Sequence, residues 1–345
     1  VVYWLVGAFL VAILMLVVVF LIAAYRVGPA KPLRVPPVQA VPRSERSSVI
    51  YDCDVTMGRP FRDVGDGLAL LYLLGEPRVD LRLVTTTYGN GPVEMTTHVT
   101  RRLLSSLGCE TLDVLPGAAG PHDLPQANEA AQHLTKLVNQ APGEIVLVAT
   151  GSLTNLGHAV ALDPGFFSKL RGFYLWGGAT EPLTWHGRRL GERNLSLDPE
   201  AAHLALHAEC PVTIAPGQAG LSAIFRSPQF AALQAQDDPV SKLIARQVRL
   251  WFAMMRLWFR DDGFGMWDSL PAVALTHPEL FEFEQVFLTS TREELRTGRL
   301  FLDPSRHGPA RLVQRVRDFD GFYRAHLAAW RRLGQQINAE GTALK

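Results

Sequence analysis

The chain is poor in cysteine: Cys53, Cys109 and Cys210 are the only three among 345 residues, scattered and without a CxxC pair. That excludes a disulfide framework and a thiolate zinc centre, and leaves buried, inert thiols. A phosphate cradle is missing too, since neither GxxxxGK[ST] nor GxGxxG occurs. Net charge is nearly absent, +1 from 34 basic and 33 acidic side chains, so no basic surplus marks nucleic acid as a partner. A hydrophobic content of 48% excludes disorder.

Charge is also lacking over Val1–Tyr25, an apolar run that as a helix would span roughly 37 Å at ~1.5 Å per residue. The basic start of a signal peptide is missing, so residues 1–25 read as a transmembrane anchor. Arg26, Lys31, Arg34, Arg43 and Arg46 follow against a single Glu45, which favours the cytoplasmic side for the rest of the chain. The expected location is therefore a single-pass membrane protein. Residues 26–47 hold Pro29, Pro32, Pro36, Pro37 and Pro42 and read as an extended linker. Residues 48–340 form the remaining domain.

Within that domain short apolar runs alternate with longer amphipathic ones. Ser48–Asp52, Asp80–Thr87, Thr111–Leu115, Glu144–Ala149, Gly172–Trp176 and Val212–Ala215 read as strands. Segments near 66–75, 92–107, 126–140, 153–161 and 198–209 read as helices between them. This alternation predicts an α/β fold with a mostly parallel sheet flanked by helices. Glu284–Thr289 and Leu295–Asp303 look like an added hairpin, and Asp318–Leu333 like a closing helix. Residues 246–260 read as a core helix with Leu250, Trp251, Met254, Met255 and Trp258 on its apolar side.

Ligands in such sheets bind beyond the carboxyl ends of the strands. The first strand is followed by Asp52, Asp54, Asp63 and Asp66, and later strand ends bring Asn90, Thr150, Glu192, Asn194 and Asp198. Asp268 precedes another apolar helix. So much negative charge on one sheet end needs a metal ion, a ring of Arg and Lys, or water. Oxygen donors without thiolates or paired histidines suit Ca²⁺ or Mg²⁺, and the amides suit sugar hydroxyls.

These residues resemble the inosine–uridine-preferring nucleoside hydrolases. "DCDVTMGRPFRDVGDGLAL", "TYGN", "VATGSLTN", "ERNLSLDPEAA" and "WDSLPAVA" follow the family's motifs in order over residues 48–333. The resemblance implies a Rossmann-like fold that cleaves the N-glycosidic bond of ribonucleosides. It implies Ca²⁺ held by Asp54, Asp66, the Thr150 carbonyl and Asp268. Asn90, Glu192 and Asn194 would hold the ribose, and Asp54 would deprotonate the attacking water.

The departures are specific. Seven extra residues separate Asp54 from the family's adjacent aspartate pair, which here is Gly65–Asp66. The first partner is therefore absent unless Asp63 replaces it at the sugar. Arg193 stands inside the family's E-F-N, and His186 where an asparagine is expected, leaving it a candidate acid. Trp267 occupies the place of a base-protonating histidine and resembles the purine-preferring branch. The expected substrate is a nucleoside, with a purine base favoured, and a homo-oligomer is left open. A nucleoside- or ribose-binding protein with impaired catalysis is the alternative.

Overall fold

In the computed structural model, residues 2–25 and 41–343 are described. The chain runs α1 (Val2–Tyr25), β1 (Ser47–Cys53), α2 (Gly65–Gly75), β2 (Val79–Thr86), α3 (Val93–Ser105) and β3 (Val114–Pro116). It continues with α4 (Glu129–Gln140), β4 (Ile145–Ala149), α5 (Thr154–Leu162), β5 (Gly172–Trp176), β6 (Thr184–Trp185) and β7 (Arg188–Arg189). Next are α6 (Pro199–Leu206), β8 (Val212–Ala215), α7 (Gly217–Gly220), β9 (Ile224–Arg226), α8 (Ser227–Gln234) and α9 (Pro239–Phe259). The last elements are β10 (Gly263–Gly265), α10 (Ser269–Thr276), β11 (Phe281–Val286), α11 (Arg292–Leu295), β12 (Ala310–Val316) and α12 (Phe319–Ala343).

Eight strands form one sheet in the order β11-β12-β8-β5-β4-β1-β2-β3, parallel except where β11 meets β12. Residues 49–53 of β1 are all buried because strands lie on both sides and helices cover both faces. One apolar layer joins α2, α10 and α12 to the sheet, and the other joins α4, α5 and α6. Strand order reverses between β1 and β4, so their carboxyl ends open the crevice where such sheets take ligands.

The expected strands and helices are present within a few residues, but the added hairpin differs. Its first strand is β11, and its partner is β12 rather than residues 295–303. Thr291 caps Glu294 reciprocally, a T-x-x-E box that starts α11 just before that stretch. Residues 299 and 302 make only isolated bridges. On α9 the buried stripe is Ile244, Val248, Phe252 and Met255, while Leu250 and Trp258 stay exposed.

The membrane expectation is corrected. Helix α1 lies against α9. Among the described residues no helix is long and apolar enough to cross a membrane, which overturns the transmembrane anchor and the membrane location. Most of the proline-rich linker lies outside the described residues.

The layer under α12 makes a testable pH device. His326 is fully buried between Tyr72, Phe322 and Trp330, with ring centroids at 4.9, 4.6 and 5.2 Å. Its Nδ1 meets the Phe322 carbonyl at 2.9 Å, and its Nε2 has no partner. Burial lowers its pKa to about 4. Below pH ~6.5 the unfolded chain takes up a proton that the folded one refuses, so stability is lost as pH falls toward 4. The loss is on the order of 3 kcal/mol. His326→Phe should flatten the urea midpoint between pH 7 and 4; an unchanged slope would assign the effect elsewhere.

Candidate active site

Asp54 leaves the end of β1, 2% exposed, and Asp66 sits in the first turn of α2, also 2% exposed. The positive end of α2 favours an anion at Asp66. Thr150 follows β4 and donates its hydroxyl to Asp66 Oδ1 at 2.6 Å, and the Asp54 N–H donates to the same atom at 3.4 Å. Asn90, after β2, binds both carboxylates: its backbone N–H reaches Asp54 Oδ2 at 2.6 Å. Its amide donates to Asp54 Oδ1 at 3.0 Å and to Asp66 Oδ2 at 3.2 Å. Asp268 precedes α10 and brings an oxygen within 4.8 Å of oxygens of Asp66 and Asp63.

Asp63 and Asp268 flank Gly65, the residue that stands where the resemblance implies an aspartate. A Cβ at residue 65 would lie 1.9 Å from Asp268 Oδ2 and 3.0 Å from Asp63 Oδ1, so glycine is what fits between them. Asp63 Oδ1 instead accepts the Gly65 N–H at 2.7 Å, and the Asp63 carbonyl accepts the Thr56 hydroxyl at 2.9 Å. Asp52 does not line the cleft. It accepts from Thr85 at 2.5 Å and Asn155 at 2.7 Å, and so ties β1 to β2 and α5. Asp198 caps α6 through Ala201.

Asp63, Asn90, Glu192, Arg193, Asn194 and Asp268 line a cleft of about 110 Å³ with Trp176 and Trp267 on its wall. Glu192 accepts backbone N–H groups of Gly178, Leu195 and Ser196 at 2.9–3.1 Å. Asn194 spends its amide hydrogens on the carbonyls of Thr150, at 2.6 Å, and Trp176, at 2.9 Å. Its side-chain oxygen is then the group it can offer a hydroxyl. Trp176 and Trp267 stack with centroids 6.0 Å apart, and the Trp267 N–H is buried without a partner.

His186 is elsewhere. It sits in the β6–β7 turn at φ 50° and its Nε2 meets Asp261 Oδ2 at 2.9 Å. Desolvation opposes charge on Asp261, but hydrogen bonds from Arg226 and His186 outweigh it and hold the carboxyl at about 2. His186 is not among the residues lining the cleft.

Desolvation, then repulsion from Asp66, raises Asp54 well above the usual carboxylate range. Asp268 is raised by the same causes, with Asp63 and Asp54 adding to the repulsion, and desolvation raises Asp66. Among the described residues no Arg or Lys forms an ion pair with Asp54, Asp66 or Asp268. Of the three ways to balance this charge, the ring of cations is therefore excluded there. Converging buried oxygens that repel one another, with a backbone carbonyl beside them, fit a hard divalent cation. Asp63 was expected at the sugar, and its closeness to Asp66 and Asp268 adds it to that acidic group. Sequence reasoning passed over Tyr51, whose hydroxyl contacts Asp66 and Thr150, and Trp176. Trp176 was legible as a strand-exit residue; Tyr51 looked like ordinary core.

A parallel sheet whose switch point carries buried carboxylates, amides and an indole wall defines an α/β enzyme that handles a polar, ring-bearing substrate. The chain belongs to the inosine-uridine preferring nucleoside hydrolase family, whose profile matches residues 49–324, and it is a hydrolase. It is 26% identical over 263 residues to the pyrimidine-specific ribonucleoside hydrolase RihA of Photobacterium profundum, covering 68% of this chain and 81% of that one. A purine-preferring ribonucleoside hydrolase from Gardnerella vaginalis shares the fold, with a TM-score of 0.72 at 20% identity over 84% of this chain and 100% of that one. A plant nucleoside hydrolase, PpNRh1, aligns with a TM-score of 0.70 at 22% identity over 84% and 99%.

Proposed function

We propose that the protein hydrolyses the N-glycosidic bond of ribonucleosides to free base and ribose, with purine nucleosides preferred and Ca²⁺ as cofactor. The observation that carries this reading is a buried acidic cluster, Asp63, Asp66 and Asp268 with Asp54 joined to it through Asn90, beside a cleft walled by Trp176 and Trp267. Cleavage places positive charge on the ribose in an oxocarbenium-like transition state, and fixed carboxylates stabilise it as it forms. Asn194, Asn90 and Glu192 orient the sugar hydroxyls. Asp54, held from both sides by Asn90, accepts the proton of the attacking water.

Asp54, Asp66, Asp268 and the Thr150 carbonyl would hold the cation, with Asp63 beside them. When bound, Ca²⁺ would acidify and direct the water and neutralise the carboxylate cluster. Incubating the protein with inosine, guanosine, adenosine, uridine and cytidine and assaying free ribose tests the function directly. Nucleoside binding without ribose from any of the five would make the protein a binder.

The relatives' specificities point both ways, so the base preference rests on the indole wall. An indole N–H is far too weak an acid to protonate a leaving base at neutral pH. Stacking on a base is worth ~1–3 kcal/mol, and a purine offers more ring area, with N7 as a site that solvent can protonate. Trp267→Ala should therefore lower inosine kcat/KM by about 5- to 100-fold, and uridine kcat/KM by less. Faster wild-type cleavage of uridine than of inosine, or an unchanged ratio in the variant, removes the stacking argument.

A further inference from the structure

We propose that the hollow between α3, α9 and the loop following β1 binds a phosphoryl group, at a site separate from the carboxylate cleft. The hollow has a volume of about 370 Å³, against about 110 Å³ for the cleft. That falls within the range of ~300–1,000 Å³ usual for small-molecule pockets. Arg59 enters it from the loop, Arg102 and His98 from α3, and Arg246 from α9. Among the described residues no Asp or Glu lines it.

The charge on these arginines is uncompensated within the hollow. Arg78, Arg226, Arg256 and Arg315 are each paired with a carboxylate. Among the described residues, Arg59, Arg102 and Arg246 form no ion pair. Three guanidinium groups converging on one concavity repel one another until an anion joins them, and their planar forks match phosphoryl oxygens. Ser106 and Gln247 add neutral hydrogen-bonding groups at the rim.

The local structure is built to bring these elements together. His98, Arg102 and Ser106 recur every four residues along one stripe of α3 and its C-cap. Beneath them Met57, Val99, Leu103 and Leu243 are all buried, forming an apolar floor on which an organic group could rest. Gly58 lies at φ +87°, and a Cβ there would come 2.1 Å from Gln247 Oε1, so the loop sits directly on α9. This loop is the stretch that the chain inserts between Asp54 and Asp66, so the third arginine comes with the insertion.

Two probes separate free phosphate from a phosphate ester: inorganic phosphate and phenyl phosphate, which carries no ribose to enter the nucleoside cleft. Each is titrated into the full chain by calorimetry at low ionic strength. Phenyl phosphate should bind, and the double variant Arg102→Gln/Arg246→Gln should weaken it by about tenfold or more through loss of two charge-assisted contacts. The variant should keep its melting temperature and its ribose release, since both side chains are exposed and neither lines the carboxylate cleft. Equal binding of both probes, lost together in the variant, supports the site with free phosphate as its ligand. Tighter binding of phenyl phosphate supports an ester lying on the apolar floor. Absence of binding by either probe, or variant binding equal to wild type, overturns the proposal.

Discussion

Asp54→Asn should lower kcat by ~10²–10⁴-fold while leaving ribose affinity within about threefold, the signature of a lost general base. The substitution keeps the volume of a side chain that is only 2% exposed, so it opens no cavity. It removes the one property the reaction needs, an oxygen that can take a proton. Asn90 holds both carboxylate oxygens, Oδ2 through its backbone N–H and Oδ1 through its amide, so the carboxylate is aimed before substrate arrives. Desolvation and the neighbouring Asp66 raise its pKa in the cation-free protein. A base must be ionised to act, so wild-type kcat/KM should fall on the acid side as Asp54 is protonated, and the Asn variant should lose that limb. A variant retaining more than about a tenth of wild-type kcat would remove Asp54 from the role of base. The ribose measurement guards against misreading: a parallel collapse of affinity would mean that the change had disturbed the whole cluster.

The sheet was legible because parallel strands buried on both faces must be written as continuous apolar runs, as in "EIVLVA" at 144–149. The site was legible because each of its carboxylates and amides follows such a run. Legibility stopped where residues far apart in sequence decide the outcome. Gly65 and Asp63 could be read as a loss and a candidate replacement, but only the approach of Asp268 to residue 65 shows why a side chain there does not fit. His186 invited a catalytic reading because it stands where the family's motif has an asparagine, and its partner Asp261 lies far downstream, beyond α9. Strand β12 was missed because the apolar run Leu300–Leu302 draws the strand reading to residues 295–303, while the capping box at Thr291 just before them is a weaker signal. The apolar segment at 1–25 was read by composition alone, and composition says nothing of what a helix lies against.

Asp268→Ala should abolish both cation binding and ribose release, and its effect on stability should change sign with calcium. In the cation-free protein, Asp268 is buried near Asp66, Asp63 and Asp54, and desolvation and their repulsion raise its pKa well above the ordinary carboxylate value. A carboxyl raised in the folded state contributes stability below its unfolded pKa of ~4 and loses it as pH rises through the folded value. Chelator-treated wild type should therefore weaken as pH rises from about 4 toward neutrality, and Asp268→Ala should weaken less. At pH 7 without calcium the variant should melt at or above wild type. Adding calcium to ~100 times its dissociation constant should stabilise wild type by about 2.7 kcal/mol through linkage, and the variant by little. Elemental analysis of undialysed protein should find about one calcium per wild-type chain, since Asp66, Asp268 and their neighbours define a single oxygen cluster. Zinc or no metal in active protein would sink the calcium assignment. An equal calcium-induced rise in melting temperature for the two proteins would place the cation away from Asp268. Because metal content and stability are read without turnover, either result stands even if the chosen nucleoside is a poor substrate.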